Sequence, residues 1–253
     1  MTKRRPCIAG NWKMNMNVAD SLKFITEFTH ELKAVGDRDV VIAPPFTSLY
    51  SSGVALADSE LKLASQNVHW EDSGAFTGEI AAPFLVDVGC TYVIIGHSER
   101  RQYFGETDET VNKRLHAALR HGLTPIVCVG ELLEERESNK TWDVIERQLK
   151  GAFANVTMSA DNMPLIAYEP VWAIGTGKTA SPAQAQEVHA MIREWVGRAF
   201  DAATADAVRI LYGGSMKPSN SRELISQPDI DGGLIGGAAL NPEHFAAIVR
   251  SAV

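Results

Sequence analysis

Eight short apolar runs, separated by helical patterns, constrain this chain more than any other feature. They fall at residues 7–10, 40–43, 61–65, 92–96, 125–129, 165–168, 208–212 and 233–235. Most are apolar at consecutive positions instead of alternating, as strands of a parallel sheet covered on both faces must be. Between them, apolar residues recur at helical spacing. Leu22, Ile25, Phe28 and Leu32 share one face, as do Val111, Leu115, Ala118 and Leu119. Trp142, Ile145 and Leu149 repeat the pattern, followed by Val188, Ile192, Trp195 and Ala199. Ser181-Pro182-Ala183-Gln184 marks a helix start, with an N-cap serine, a proline at the first helical position and a glutamine that closes a capping box. Asn241-Pro242 opens the last helix, whose apolar face carries Phe245, Ile248 and Val249. Eight strands alternating with helices over about 250 residues point to an α/β fold. The expected form is a closed (β/α)8 barrel of eight parallel strands inside a ring of helices. Periodicity alone also permits an open doubly wound sheet. No Pro/Gly/Ser-rich linker divides the chain, so residues 1–253 are expected to form one domain.

Bulk properties narrow the function. No stretch approaches the ~18 apolar residues of a membrane span. The basic N-terminus leads into an apolar run broken at Gly10-Asn11, too short for a signal-peptide core. A net charge of −7 argues against nucleic acid or an anionic membrane as partner. Cys7, Cys90 and Cys128 are odd in number and far apart. Buried free thiols in a reducing compartment, the cytoplasm, are therefore expected.

In such a barrel the chemistry sits where the strands end. Asn11-Trp12-Lys13 follows the first run, His97-Ser98-Glu99-Arg100-Arg101 the fourth, and Glu169 the sixth. Gly213-Gly214-Ser215 follows the seventh and Gly236-Gly237 the eighth. Pro170 stops the sixth strand directly after Glu169, and an uncharged Trp-Ala-Ile-Gly stretch comes next. A carboxylate beside that apolar flap loses water, which makes it a stronger base. A strand-end glutamate more often caps the following helix. Its place at the same end as a histidine, a lysine and an asparagine favours the base. Backbone N–H groups freed by the two glycine turns would bind an anion without arginine. Loops after strands seven and eight commonly seat a phosphate, so a small phosphorylated metabolite fits. There is no Cys/His cluster suited to zinc and no carboxylate pair suited to magnesium. Gly177-Lys178-Thr179 looks like the end of a nucleotide-binding P-loop, but Trp172 stands where that motif needs its first glycine.

The segments 9–15, 74–79, 95–101, 167–177, 212–215 and 231–238 resemble, in order, motifs of the triosephosphate isomerase family. The first reads Ala-Gly-Asn-Trp-Lys-Met-Asn, and the third Ile-Gly-His-Ser-Glu-Arg-Arg. The fourth runs Ala-Tyr-Glu-Pro-Val-Trp-Ala-Ile-Gly-Thr-Gly, and the likeness covers essentially the whole chain. The resemblance implies interconversion of dihydroxyacetone phosphate and glyceraldehyde 3-phosphate, without metal or organic cofactor. It implies that Glu169 is the base and that His97 polarises the carbonyl as a neutral imidazole. Neutrality of that histidine at a helix N-terminus is a known property of this family. Asn11 and Lys13 would stabilise the developing negative oxygen, with Glu99 positioning Lys13. Amides of Gly175, Ser215, Gly236 and Gly237 would grip the phosphate. Residues 171–178 would be a closing lid, again a family property, held shut by Tyr212 and Ser215. Ser98 and Leu234 complete the supporting set. Thr77 would reach the partner's Asn11 and Lys13 in a homodimer. Gly233 and Ala239 depart from the family pattern, in which an aromatic and a serine are usual, so packing near strand eight is open. Another barrel enzyme for a phosphorylated metabolite, or a non-catalytic scaffold, are the alternatives.

Overall fold

The computed structural model describes residues 4–32, 36–158, 163–174 and 179–252. Strands β1 (Cys7–Asn11), β2 (Asp39–Ala43), β3 (Lys62–Ser65), β4 (Cys90–Ile95), β5 (Thr124–Val129), β6 (Leu165–Tyr168), β7 (Ile210–Tyr212) and β8 (Gly232–Ile235) close into one barrel. Every neighbouring pair is parallel, and β1 seals the seam by pairing with both β2 and β8. Closure removes the open-sheet alternative. The strand ends differ from the sequence-based expectation by two residues or fewer. β7 starts later because the Val208 N–H still bonds to Thr204 O at 2.8 Å, finishing the helix before it.

Alternation along the strands produces two cores. Cys7, Ala9, Val41, Ala43, Ile94, Cys128, Ala167 and Leu211 belong to one cluster, inside the barrel. The residues between them, such as Ile8, Ile42, Val93, Val127, Ile166 and Ile210, pack outward with the helices. Both strand faces are thus buried, which explains the continuous apolar runs. The three cysteines are buried and free.

The helical faces follow the expected spacing with one shift. Helix Val18–Glu31 buries Phe24, Ile25 and Phe28, whereas Leu22 is exposed. The stripe centres on Phe24 and Phe28 because Phe24 meets the Trp12 ring and Phe28 stacks on Phe245. Ser181 makes its capping box with Gln184, and Asn241 caps the last helix by accepting from the His244 N–H. Among the described residues, six helices of five to eight residues, Ser98–Tyr103 and Ala202–Ala207 among them, are too short to show periodicity. No helix among the described residues is long and apolar enough to cross a membrane.

Candidate active site

Parity along the strands aims the key side chains. Leu165 and Ala167 face the barrel interior, so Glu169, next in that alternation, points into its mouth. Asn11 follows Cys7 and Ala9 in the same way. His97 is out of step with Ile94, and Gly96, at φ +69°, makes the left-handed turn that re-aims it. Lys13 also adopts a left-handed backbone, φ +53°. That conformation costs a non-glycine residue of order 1 kcal/mol or more. Two contacts hold it: the Lys13 N–H bonds to Asn11 Oδ1 at 3.0 Å, and Gln66 Nε2 donates to Lys13 O at 2.8 Å.

These turns bring Asn11, Lys13, His97, Glu169, Gly213, Ser215, Leu234, Gly236 and Gly237 around one cavity of about 190 Å³. Glu169 is 2% exposed. Its Oε1 lies 2.9 Å from His97 Nε2, and its Oε2 accepts the Ser98 N–H at 2.9 Å. His97 is the N-cap of helix Ser98–Tyr103, and its Nδ1 accepts the Glu99 N–H at 3.2 Å. The ring proton therefore belongs on Nε2, facing the cavity and Glu169. Lys13 Nζ is 2.5 Å from Glu99 Oε1.

Burial by itself pushes the Glu169 carboxyl up, but the charge and hydrogen bond of His97, together with the Ser98 amide, more than offset it and hold it below the usual carboxylate range. For His97, burial favours the neutral ring while the Glu169 carboxylate favours the charged one and prevails. The histidine is thus raised with Glu169 against it, opposite to the direction the resemblance implies. Besides burial and the nearby Lys13 charge, its N-cap place and the Glu99 N–H on Nδ1 also favour the neutral ring.

The two glycine turns expected to seat an anion border the same cavity. Gly236 leads into the short 3-10 helix Gly237–Leu240. A side chain at Gly236 would stand 3.5 Å from Lys13 Cε, so the lysine borders this turn, and at Gly237 the space is open. Ser215 Oγ donates to Ala173 O at 2.9 Å, tying the β7 turn to the start of the expected lid. The Tyr212 hydroxyl is buried, with the Ala180 backbone N–H beside it. Gly175 and residues 176–178 of the expected lid lie outside the described residues. Thr77 sits on an exposed loop away from this cavity.

Three polar residues outside the sequence-based set, Glu131, Gln66 and Gln148, stand behind the site. Glu131, two residues after β5 and fully buried, accepts from Tyr168 Oη and Trp172 Nε1, each at 3.0 Å, and from Arg136 Nη1 at 3.2 Å. Gln66 follows β3 and props Lys13. Gln148 bonds to Gly130 just past β5. Glu131 and Gln66 follow strand ends, a signal present in the sequence, whereas Gln148 lies within helix Thr141–Ala152 and carries no such signal. Near β8, Met216 fills the space left by Gly233, where a Cβ would come within 3.0 Å of its Sδ. Ala239, fully buried, occupies room that Gly10 leaves, its Cβ 3.0 Å from where a side chain there would begin.

The chain matches the triosephosphate isomerase family model over residues 6–252. It is 55% identical over 247 residues to the triosephosphate isomerase of Trichlorobacter lovleyi, covering 98% of each chain. The corresponding protein of Citrifermentans bemidjiense is 53% identical with the same coverage. That of Herpetosiphon aurantiacus is 52% identical, over 98% of this chain and 99% of its own. With a family match of this length on a closed eight-stranded parallel barrel, the chain belongs to the triosephosphate isomerase family.

Proposed function

We infer that the chain interconverts dihydroxyacetone phosphate and D-glyceraldehyde 3-phosphate by proton transfer through an enediolate, as a step of glycolysis and gluconeogenesis. The observation that carries this is the buried pair of Glu169 and His97 at the same mouth as the glycine turns 213–214 and 236–237. Glu169 takes a proton from the carbon beside the carbonyl and returns it to the neighbouring carbon. Moving towards substrate separates it from His97 and the Ser98 amide. Both partners lower its basicity while it rests between them, so release makes it a stronger base. The same departure frees His97 Nε2–H to hydrogen-bond the developing oxyanion as a neutral imidazole, a role known for this family. Lys13 and the Asn11 side-chain amide add donors to that oxygen, whose Oδ1 is already engaged by the Lys13 N–H. Glu99 orients the lysine.

The phosphate dianion fits the amides of Ser215, Gly236 and Gly237, with Gly175 as a further donor, and Lys13 beside them. Residues 171–178 act as the lid over the enediolate, which would otherwise lose phosphate to water. Ser215 supports this through its bond to Ala173. Tyr212 is assigned the other latch, its buried hydroxyl lying beside the Ala180 backbone just past the lid. Leu234 walls the cavity. A homodimer with Thr77 reaching the partner's Asn11 and Lys13 fits the exposure of Phe76 and of Met14, which is 95% exposed. Buried free thiols support a cytoplasmic setting. The test is turnover of glyceraldehyde 3-phosphate, coupled to NADH oxidation by glycerol-3-phosphate dehydrogenase. Glu169→Gln is expected to lower kcat by about 10²–10⁴, as loss of a positioned base does. A variant at near-parental rate would place the base elsewhere, and an inactive parent would refute the function.

A further inference from the structure

Gln148 stands out in helix Thr141–Ala152 as the one polar residue of its buried face, among Val144, Ile145, Leu149 and Ala152. It is 6% exposed. Its amide makes two bonds to a single residue: Oε1 accepts the Gly130 N–H at 2.8 Å, and Nε2 donates to Gly130 O at 3.1 Å. Gly130 needs such a partner because of where the strands end. β4 stops at Ile95, which pairs with Val127, so three residues on, Gly130 has no strand neighbour on that side.

On its other side Gly130 meets the backbone of Glu169. The Glu169 N–H bonds to Val129 O at 2.8 Å, and the Val171 N–H bonds to Glu131 O at 3.1 Å, so residues 129–131 run alongside 169–171. A Cβ at Gly130 would fall 1.7 Å from Glu169 O and 2.7 Å from its carbonyl carbon. Glu169 therefore rests directly on the Gly130 backbone, and that backbone is clasped by the Gln148 amide.

We propose that Gln148 is a positioning residue for the isomerisation, fixing the Gly130 peptide on which the Glu169 backbone rests and so the place from which the carboxylate works. This rests on the assignment of Glu169 as the base. A two-point clasp suits the task, since it sets both the height and the rotation of the Gly130 peptide. Gln148 touches neither the cavity nor the anion seat, so its loss acts on the chemical step and leaves phosphate binding alone.

Gln148→Met keeps the side-chain length and removes both bonds. Gln148→Glu keeps an acceptor for the Gly130 N–H but offers no N–H to its carbonyl. A misplacement of about 1 Å at a reacting group costs on the order of 100-fold, so Gln148→Met is expected to lower kcat by about 10- to 100-fold. Gln148→Glu should fall between it and the parent. The KM for glyceraldehyde 3-phosphate and the inhibition constant for inorganic phosphate should stay within about twofold in both, the signature of an effect on the transition state alone. Parental kcat in both variants, or phosphate affinity falling in step with kcat, would overturn the proposal. If the parent itself shows no isomerase turnover, the assignment of the base fails separately. The crystal structure of Gln148→Met then decides: a displaced Glu169 upholds the positioning role, and an unmoved one refutes it.

Discussion

A methyl group added at Gly213 tests how closely Glu169, the proposed base, is placed. The Gly213 Cβ would stand 2.8 Å from Glu169 Cγ and 3.1 Å from Tyr168 O. Ordinary carbon–carbon contacts lie at about 3.5–4.0 Å, so one side must yield by ~0.7–1.2 Å. The glycine is tied down, because its N–H bonds to Tyr168 O at 2.7 Å. Its backbone φ is not positive, so alanine brings no conformational penalty of its own. The displacement thus falls on the Glu169 side chain. A reacting group moved by about 1 Å loses on the order of 100-fold in rate, or ~2.7 kcal/mol in barrier. Gly213→Ala should therefore cut kcat about 100-fold in the coupled assay. Gly214→Ala is the comparison, since its Cβ would strike the Tyr212 ring and Pro170 instead of the base. A Gly213→Ala protein with parental kcat, and Glu169 unmoved in its crystal structure, would refute the steric reasoning.

Three other outcomes follow from the same geometry. Ser215→Asp sets a negative charge at the proposed anion seat and should weaken inhibition by inorganic phosphate; an unchanged inhibition constant would remove Ser215 from that seat. Thr77→Arg should shift the protein towards monomer and depress activity, and sedimentation showing an intact dimer at low concentration would contradict the loop's assignment. His189 is fully buried, and burial pushes its imidazole down to about 3, outweighing its bond to Asp229 O. Its unfolded value is about 6.5. Between those values the unfolded chain binds the proton and the folded chain does not, so stability falls as pH falls. The loss from this group reaches about 2 kcal/mol at pH 5 relative to pH 7. His189→Gln should shrink the drop in Tm between those pH values, and an equal drop in both proteins would discount the histidine.

What the sequence determined by itself was repetition and order. Both-sided apolar runs announce buried parallel strands, and eight of them with helices between leave few architectures. Asn11, Lys13, His97 and Glu169 could be picked out because each follows a run directly, and strand parity carries them to one mouth. The capping residues Ser181 and Asn241 were legible for a similar reason, since a cap acts within three residues of itself. Tertiary structure decided whatever depends on contacts across elements. Phe24 displaced Leu22 from the buried stripe because Trp12 and Phe245 lie on that side. Met216 makes up for Gly233, and Gln148 reaches Gly130 from a helix 18 residues away. Glu131 gathers Tyr168, Trp172 and Arg136 around one carboxylate. The state of His97 is decided there too, since the carboxylate that raises it comes from a residue 72 positions later. Local pattern records what a side chain does to its own backbone and to solvent. Which distant group it meets is written only in the packed barrel.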